Sequence, residues 1–233
     1  MLEGLSHAPE NVSTVQALKN LMIKVPAGEI VLKDERTNHK WVVELKPYLL
    51  AKYPVTQDLY FEVTQQVPSA FRGDKLPIES VSWFGAIQFC NLLSKKTGLQ
   101  ECYAIHDEDV HFDLAANGYR LPLEAEWEYA CRAGNLDARY GDLDEIAWYS
   151  ENSSNTIHEV GKKIPNAWGF YDMIGNVWEW CWDIYDQEVY KTYRVFRGGG
   201  WFDKPRACRA SCRRRSHPTH RIDDLGFRVA RSL

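Results

Sequence analysis

The chain has 233 residues, 28 Lys+Arg against 32 Asp+Glu for a formal net charge of −4, and an unusual 9 Trp. At 45% hydrophobic and 26% charged it has the composition of a globular protein, which excludes a disordered or fibrous chain. No apolar run approaches the roughly 20 residues of a membrane helix, and the acidic balance argues against a nucleic-acid partner. The opening MLEGLSHAPENVS has neither a basic nor an apolar signal region, so the expected location is cytoplasmic. The cysteines, Cys90, Cys102, Cys131, Cys181, Cys208 and Cys212, form no CxxC pair. Free thiols in a reducing compartment are therefore expected, not a zinc ribbon.

Along the chain, residues 12–20 read as a short helix with Ser13 as N-cap. Met22 to Val55 is strand-like, rich in β-branched and aromatic residues and punctuated by Pro26, Gly28 and Pro47. Thr56 opens a second helix. The clearest helix follows Ser82, where Trp83, Ala86, Ile87, Cys90 and Leu93 recur at helical spacing and Gly98 supplies the stop. Residues 101–122 read as a hairpin with a polar tip, and a further helix enters after Pro122 and closes at Gly134. Beyond Asn135, frequent Gly, Asn, Asp and Ser with isolated aromatics predict long ordered loops. Short strand candidates at NVWEWCWDIY, YRVFRGGGW and LGFRVARSL interrupt them. With no repeat and no linker, the reading is an N-terminal extension over 1–21 and a single α+β domain over 22–233.

Five segments in chain order carry a resemblance: KYPVTQDLYFEV at 52–63, PIESVSWFGAIQFCNLL at 77–93, GYRLPLEAEWEYACRAG at 118–134, PNAWGFYDMIGNVWEW at 165–180, and the run from Arg194 to Ala230. Together they resemble the formylglycine-generating enzyme (sulfatase-modifying factor) family. The resemblance implies a variant C-type-lectin fold with low regular secondary structure, two main helices and short antiparallel strands, its ligand surface near the C-terminal segment. Family members include copper-dependent oxidases of sulfatase cysteines, parts of iron-dependent sulfoxide synthases, and non-catalytic binders, so the site has to decide the function.

The oxidases hold Cu(I) between two thiolates, soft ligands for a soft ion. Counting along Gly198-Gly199-Gly200-Trp201 by the family pattern, the first cysteine position is Asp203 and the second is Cys208. A carboxylate is a hard ligand, and the family serine beside it is replaced by Gly200, so copper is disfavoured and Cys208 would be catalytic only in a divergent enzyme. Cys208 and Cys212 would stand about 13 Å apart on an extended segment and within about 6 Å on a helix; the resemblance favours the former. His106 and His111 flank an acidic tip, but five positions apart on a strand they point to opposite faces.

The resemblance also implies a calcium loop, with the Asp172 side chain, the Gly175 and Val177 carbonyls and the Glu179 carboxylate around one structural Ca2+, an oxygen set of the kind calcium takes. The alternative is that Glu179 pairs with a C-terminal arginine. Of the seven arginines from Arg206 to Arg228, Arg209, Arg213, Arg221 and Arg228 occupy family arginine positions and would tie loops to Glu126, Glu128 or Glu179. The expected function is a non-catalytic binder, either retroelement-diversified or of the immunity type, taking a protein ligand on Trp178, Trp201, Phe202, Asp203, Lys204 and Arg206. The alternative is a divergent oxidoreductase of the same family, a copper-dependent thiol oxidase or a component of a non-heme iron sulfoxide synthase.

Overall fold

The computed structural model describes residues 13–233. Helix α1 (Thr14–Asn20) starts where Ser13 Oγ accepts the Gln16 N–H at 3.2 Å. Its Val15 and Leu18 are buried in the main core. Residues 14–20 therefore pack as part of the domain, not as an extension; the rest of the expected extension, residues 1–12, lies outside the described residues.

Strands β1 (Met22–Val25), β2 (Gly28–Lys33), β3 (Lys40–Leu45) and β4 (Tyr48–Ala51) follow, then helices α2 (Gln57–Thr64) and α3 (Trp83–Lys96). Ser82 caps α3 by accepting the Gly85 N–H at 3.1 Å, and Gly98, at φ 73°, ends it as expected. A hairpin of β5 (Tyr103–His106) and β6 (Asp109–Phe112) leads through β7 (Tyr119–Arg120) to α4 (Glu124–Arg132). The second half contributes short helices α5 (Leu143–Ile146) and α6 (Gln187–Tyr190) and the strands β8 (Trp178–Ile184), β9 (Arg194–Arg197), β10 (Arg213–Ser216), β11 (Leu225–Gly226) and β12 (Ala230–Ser232).

Two four-stranded sheets organise these pieces. The first, in order β1-β4-β12-β7, pairs the C-terminal strand with β4 and β7. The second, β10-β9-β8-β11, is antiparallel except for β11, which runs parallel to β8. This is the α+β architecture expected, with α3 and α4 as its main helices.

Tryptophans fasten the sheets to the helices. Trp83 Nε1 donates to the Cys181 carbonyl (3.0 Å) and Trp180 Nε1 to the Val81 carbonyl (2.9 Å), so the entry of α3 and strand β8 hold each other. Each ring is buried, and its one polar atom is satisfied. Where regular structure is missing, side-chain amides replace it. Asn166 donates to the Ala130 and Cys131 carbonyls and accepts from the Trp168 and Phe170 N–H groups, while Asn176 bonds both the N–H and the C=O of His158. The long loops are ordered because their backbone groups find such partners.

Candidate functional site

The site grows from the turn after β9. At Gly199, φ is 85°, and a Cβ there would stand 2.9 Å from Cys208 Sγ. At Gly200 the space of a side chain is taken by Asp224, whose Oδ2 would lie 2.9 Å from an added Cβ. A side chain at Gly200 would therefore meet Asp224, which occupies the space.

Asp203 follows, where the resemblance places the first thiolate of the oxidases. Its Oδ2 accepts the indole N–H of Trp178 at 2.5 Å and the backbone N–H of Gly200 at 3.0 Å, and its Oδ1 pairs with Arg214 at 3.0 Å. The Arg214 guanidinium lies over the Trp178 ring, 4.8 Å from its centre. The carboxylate thus has a donor on each side and is held in a fixed orientation. Burial, then the Asp203 charge and then Asp223, push the neighbouring Asp224 carboxyl up to about 7.

Cys208 is buried, and its thiol is pushed up to about 12 by burial and by the Asp203 charge. A thiol that stays protonated is a poor nucleophile. Cys212 lies in the same irregular stretch and is likewise raised by burial. Among the described residues no group of three or more His, Cys, Asp or Glu is gathered as a metal set. One buried protonated thiol beside a carboxylate already engaged by nitrogen donors does not fit Cu(I).

The expected ligand surface divides. Trp178 is 1% exposed, sits edge-on to Phe196 and is roofed by Arg214. Trp201 is 8% exposed, packs with Ile157, Val177 and Phe71, and donates its indole N–H to the Asp223 carbonyl at 3.2 Å. These two rings are supports, not contact surface, because each has its polar atom and its faces already used. Phe202 is the exposed aromatic, at 66%, and Lys204 and Arg206 are exposed beside it. The three line a groove of about 950 Å³ with Asp203 and Arg214 on its wall. Arg214, absent from the expected set, lines the groove, and Asp224 lies against Gly200 beside it; Arg214 stood in the sequence only as an arginine without a carboxylate assigned.

The loop expected to hold calcium is arranged around an arginine. Glu179 accepts from Arg228 through both oxygens, each at 2.6 Å, and its Oε2 also takes the indole N–H of Trp127 at 2.7 Å. Asp172 Oδ2 accepts the Gly161 N–H at 2.7 Å, and burial pushes its carboxyl up to about 6. Gly175 donates to the Gly198 carbonyl, and Val177 is buried beside Trp201. Glu179 is already neutralised by a buried guanidinium, so Asp172 is the remaining carboxyl of this set. The alternative, an arginine partner for Glu179, is what the geometry contains.

The other arginines pair differently from the expectation. Arg213 grips Glu124 (2.5 and 2.7 Å) and Arg209 grips Glu35 (2.8 Å twice), while Glu126 is held by Arg120 and Glu128 by Arg197. Arg221 makes no ion pair among the described residues. His106 and His111 also differ. The two-residue tip pairs His106 with Asp109 and Ala104 with His111, so the two histidines share the exposed face of the hairpin. They are diagonal neighbours there, about 7–8 Å apart, and among the described residues no third His, Cys, Asp or Glu joins them as a metal set.

The comparisons with known proteins agree with this frame. The chain matches the sulfatase-modifying factor enzyme 1-like domain over residues 8–233 and belongs to that family. It is 33% identical to the chaperone protein LppX of Paenibacillus barcinonensis, over 82% of each chain. It is 32% identical to the formylglycine-generating enzyme of Streptomyces coelicolor over 48% of this chain and 46% of that one. The inactive C-alpha-formylglycine-generating enzyme 2 of Mus musculus is 29% identical over 68% of this chain and 50% of its own. The chain thus spans about half the length of these two enzyme-type relatives. Among solved structures, Treponema denticola variable protein 1 superposes with a TM-score of 0.83 at 34% identity, covering 90% of this chain and 94% of that one. PvdO from Pseudomonas aeruginosa gives 0.74 at 26%, covering 91% and 94%. The fold is the C-type-lectin-like fold of the formylglycine-generating enzymes. No helix among the described residues is long and apolar enough to cross a membrane.

Proposed function

We propose that this chain is a non-catalytic, ligand-binding member of its family, a retroelement-diversified binder or an immunity-type protein, that takes a protein on the face presented by Phe202, Lys204 and Arg206. The observation that carries this reading is Asp203, locked between Trp178, Gly200 and Arg214 where a metal-binding thiolate would stand. With the neighbouring Cys208 held protonated, the chemistry of a two-thiolate oxidase has no donor pair. An exposed aromatic flanked by two cations is the make-up of a protein contact patch. Two relatives support the reading by name, one a chaperone and one an inactive enzyme. On the same grounds the Asp172–Glu179 loop is proposed to be held by Arg228 without calcium.

The test is oxygen uptake by the purified chain with a thiol substrate and Cu(I), compared with Cys208→Ser. The expected result is a rate equal to that of free copper for both. Turnover by the wild type that disappears in Cys208→Ser would establish the divergent oxidoreductase instead.

A further inference from the structure

We propose, resting on the protein-binding reading above and deepening it, that the groove beside Phe202 recognises an acidic peptide segment carrying an apolar side chain. The chain as a whole has a formal charge of −4, yet five side chains lining this groove are cationic and three are carboxylic. Three of the five cations are already matched: Arg209 by Glu35, Arg213 by Glu124 and Arg214 by Asp203. Lys204 and Arg206 are exposed, and neither has a carboxylate within ion-pair distance among the described residues. They are the groove's free cations.

Their charge and their apolar neighbour point to an acidic peptide partner. Exposure alternates along this segment, with Phe202, Lys204 and Arg206 open and Asp203, Pro205 and Ala207 turned inward or half-buried. Pro205 fixes its own φ between the two cations, and its carbonyl takes the Arg139 guanidinium at 2.6 Å, so the row is held from beneath. The segment is folded by turns, Asp203 N–H to the Gly200 carbonyl and Ala207 N–H to the Lys204 carbonyl, and it offers one apolar and two positive side chains together to a partner that carries both an apolar group and carboxylates. The carboxylates in the same groove distinguish a peptide from a polyanion. Glu151 makes no ion pair among the described residues and can accept the backbone N–H groups that a peptide carries and a phosphate backbone lacks.

The experiment is selection of a random-sequence phage-displayed peptide library on the wild-type chain, with the Lys204→Glu/Arg206→Glu variant as counter-target. Enriched peptides are then measured by fluorescence anisotropy. Because all three side chains are exposed, the variants should melt like the wild type, which checks folding. The expected result is enrichment of Asp and Glu next to an apolar residue, with affinity roughly tenfold or more weaker in Lys204→Glu/Arg206→Glu and falling with added salt. Enrichment of peptides without Asp or Glu, lost in Phe202→Ala but kept in the charge-reversal variant, overturns the acidic assignment and leaves the protein-binding face standing. No enrichment at all, or binding of an oligothymidylate in place of any peptide, overturns both.

Discussion

Asp203 makes contacts a thiol could not supply. Its Oδ2 satisfies the buried Trp178 indole N–H and the Gly200 N–H, and its Oδ1 holds Arg214 over the same indole ring. Truncation would strand donors inside the protein, and a buried unsatisfied group costs about 1–3 kcal/mol. Asp203→Ala is therefore expected to lower unfolding stability by about 2 kcal/mol or more in urea, while Asp203→Asn, which keeps an acceptor for the indole, loses about 1 kcal/mol or less. Equal losses for the two variants would show that the carboxylate's hydrogen bonds are not what matters. The departure at position 203 was legible from counting residues after the glycines. Its partners were not, because Arg214 and Asp224 reach the site from β10 and from the loop before β11, and no local pattern records that approach. Trp178 and Trp201 illustrate the same limit: both were expected on the ligand surface, and both are buried by neighbours from other segments.

Helix α4 joins the two sheets through its glutamates. Glu126 takes Arg120 of β7 in the first sheet, whereas Glu124 takes Arg213 of β10 and Glu128 takes Arg197 of β9 in the second. Positions i and i+4 of a helix share a face and i+2 lies nearly opposite, so one short helix reaches both sheets. Removing one member of a buried pair costs about 3–5 kcal/mol, because a charge is left without its partner. Arg197→Met and Arg120→Met should each fall in that range by urea denaturation, and losses below about 1 kcal/mol would mean the clamps are dispensable. At the Glu179–Arg228 pair, melting curves in millimolar calcium and in chelator are expected to superimpose; a calcium-dependent rise would show that the ion displaces Arg228. Helices α1 to α4 and the strand-like stretch from Met22 to Val55 were readable from period and punctuation, whereas the four-residue helices α5 and α6 fall where long loops were expected. Strand β10 was not readable either: Arg213-Arg214-Arg215 reads as a charge run, and only pairing with β9 and the aromatic faces under Arg213 and Arg215 make it a strand.

Among the described residues, burial raises four carboxyls: Asp172 to about 6, Asp183 and Asp224 to about 7, and Glu79 above its ordinary range. The folded chain keeps protons on these groups that the unfolded chain releases near the ordinary carboxylate pKa of about 3.9. Between those values the native state binds more protons, so their contribution to stability declines as pH rises. Melting temperature should fall by several °C between about pH 5 and pH 8, and Asp224→Asn should flatten part of that fall. A wild-type curve that rises over this range would contradict the assignment.

The account turns on the loss of a metal-binding thiolate pair, and the most direct measurement is Cu(I) retention by the purified chain in competition with a chromogenic chelator under anaerobic conditions. With Asp203 fixed by Trp178 and Arg214 and Cys208 buried and protonated, the chelator is predicted to remove all of the copper. One equivalent of Cu(I) held per chain, and released on substituting Cys208 by Ser, would contradict it.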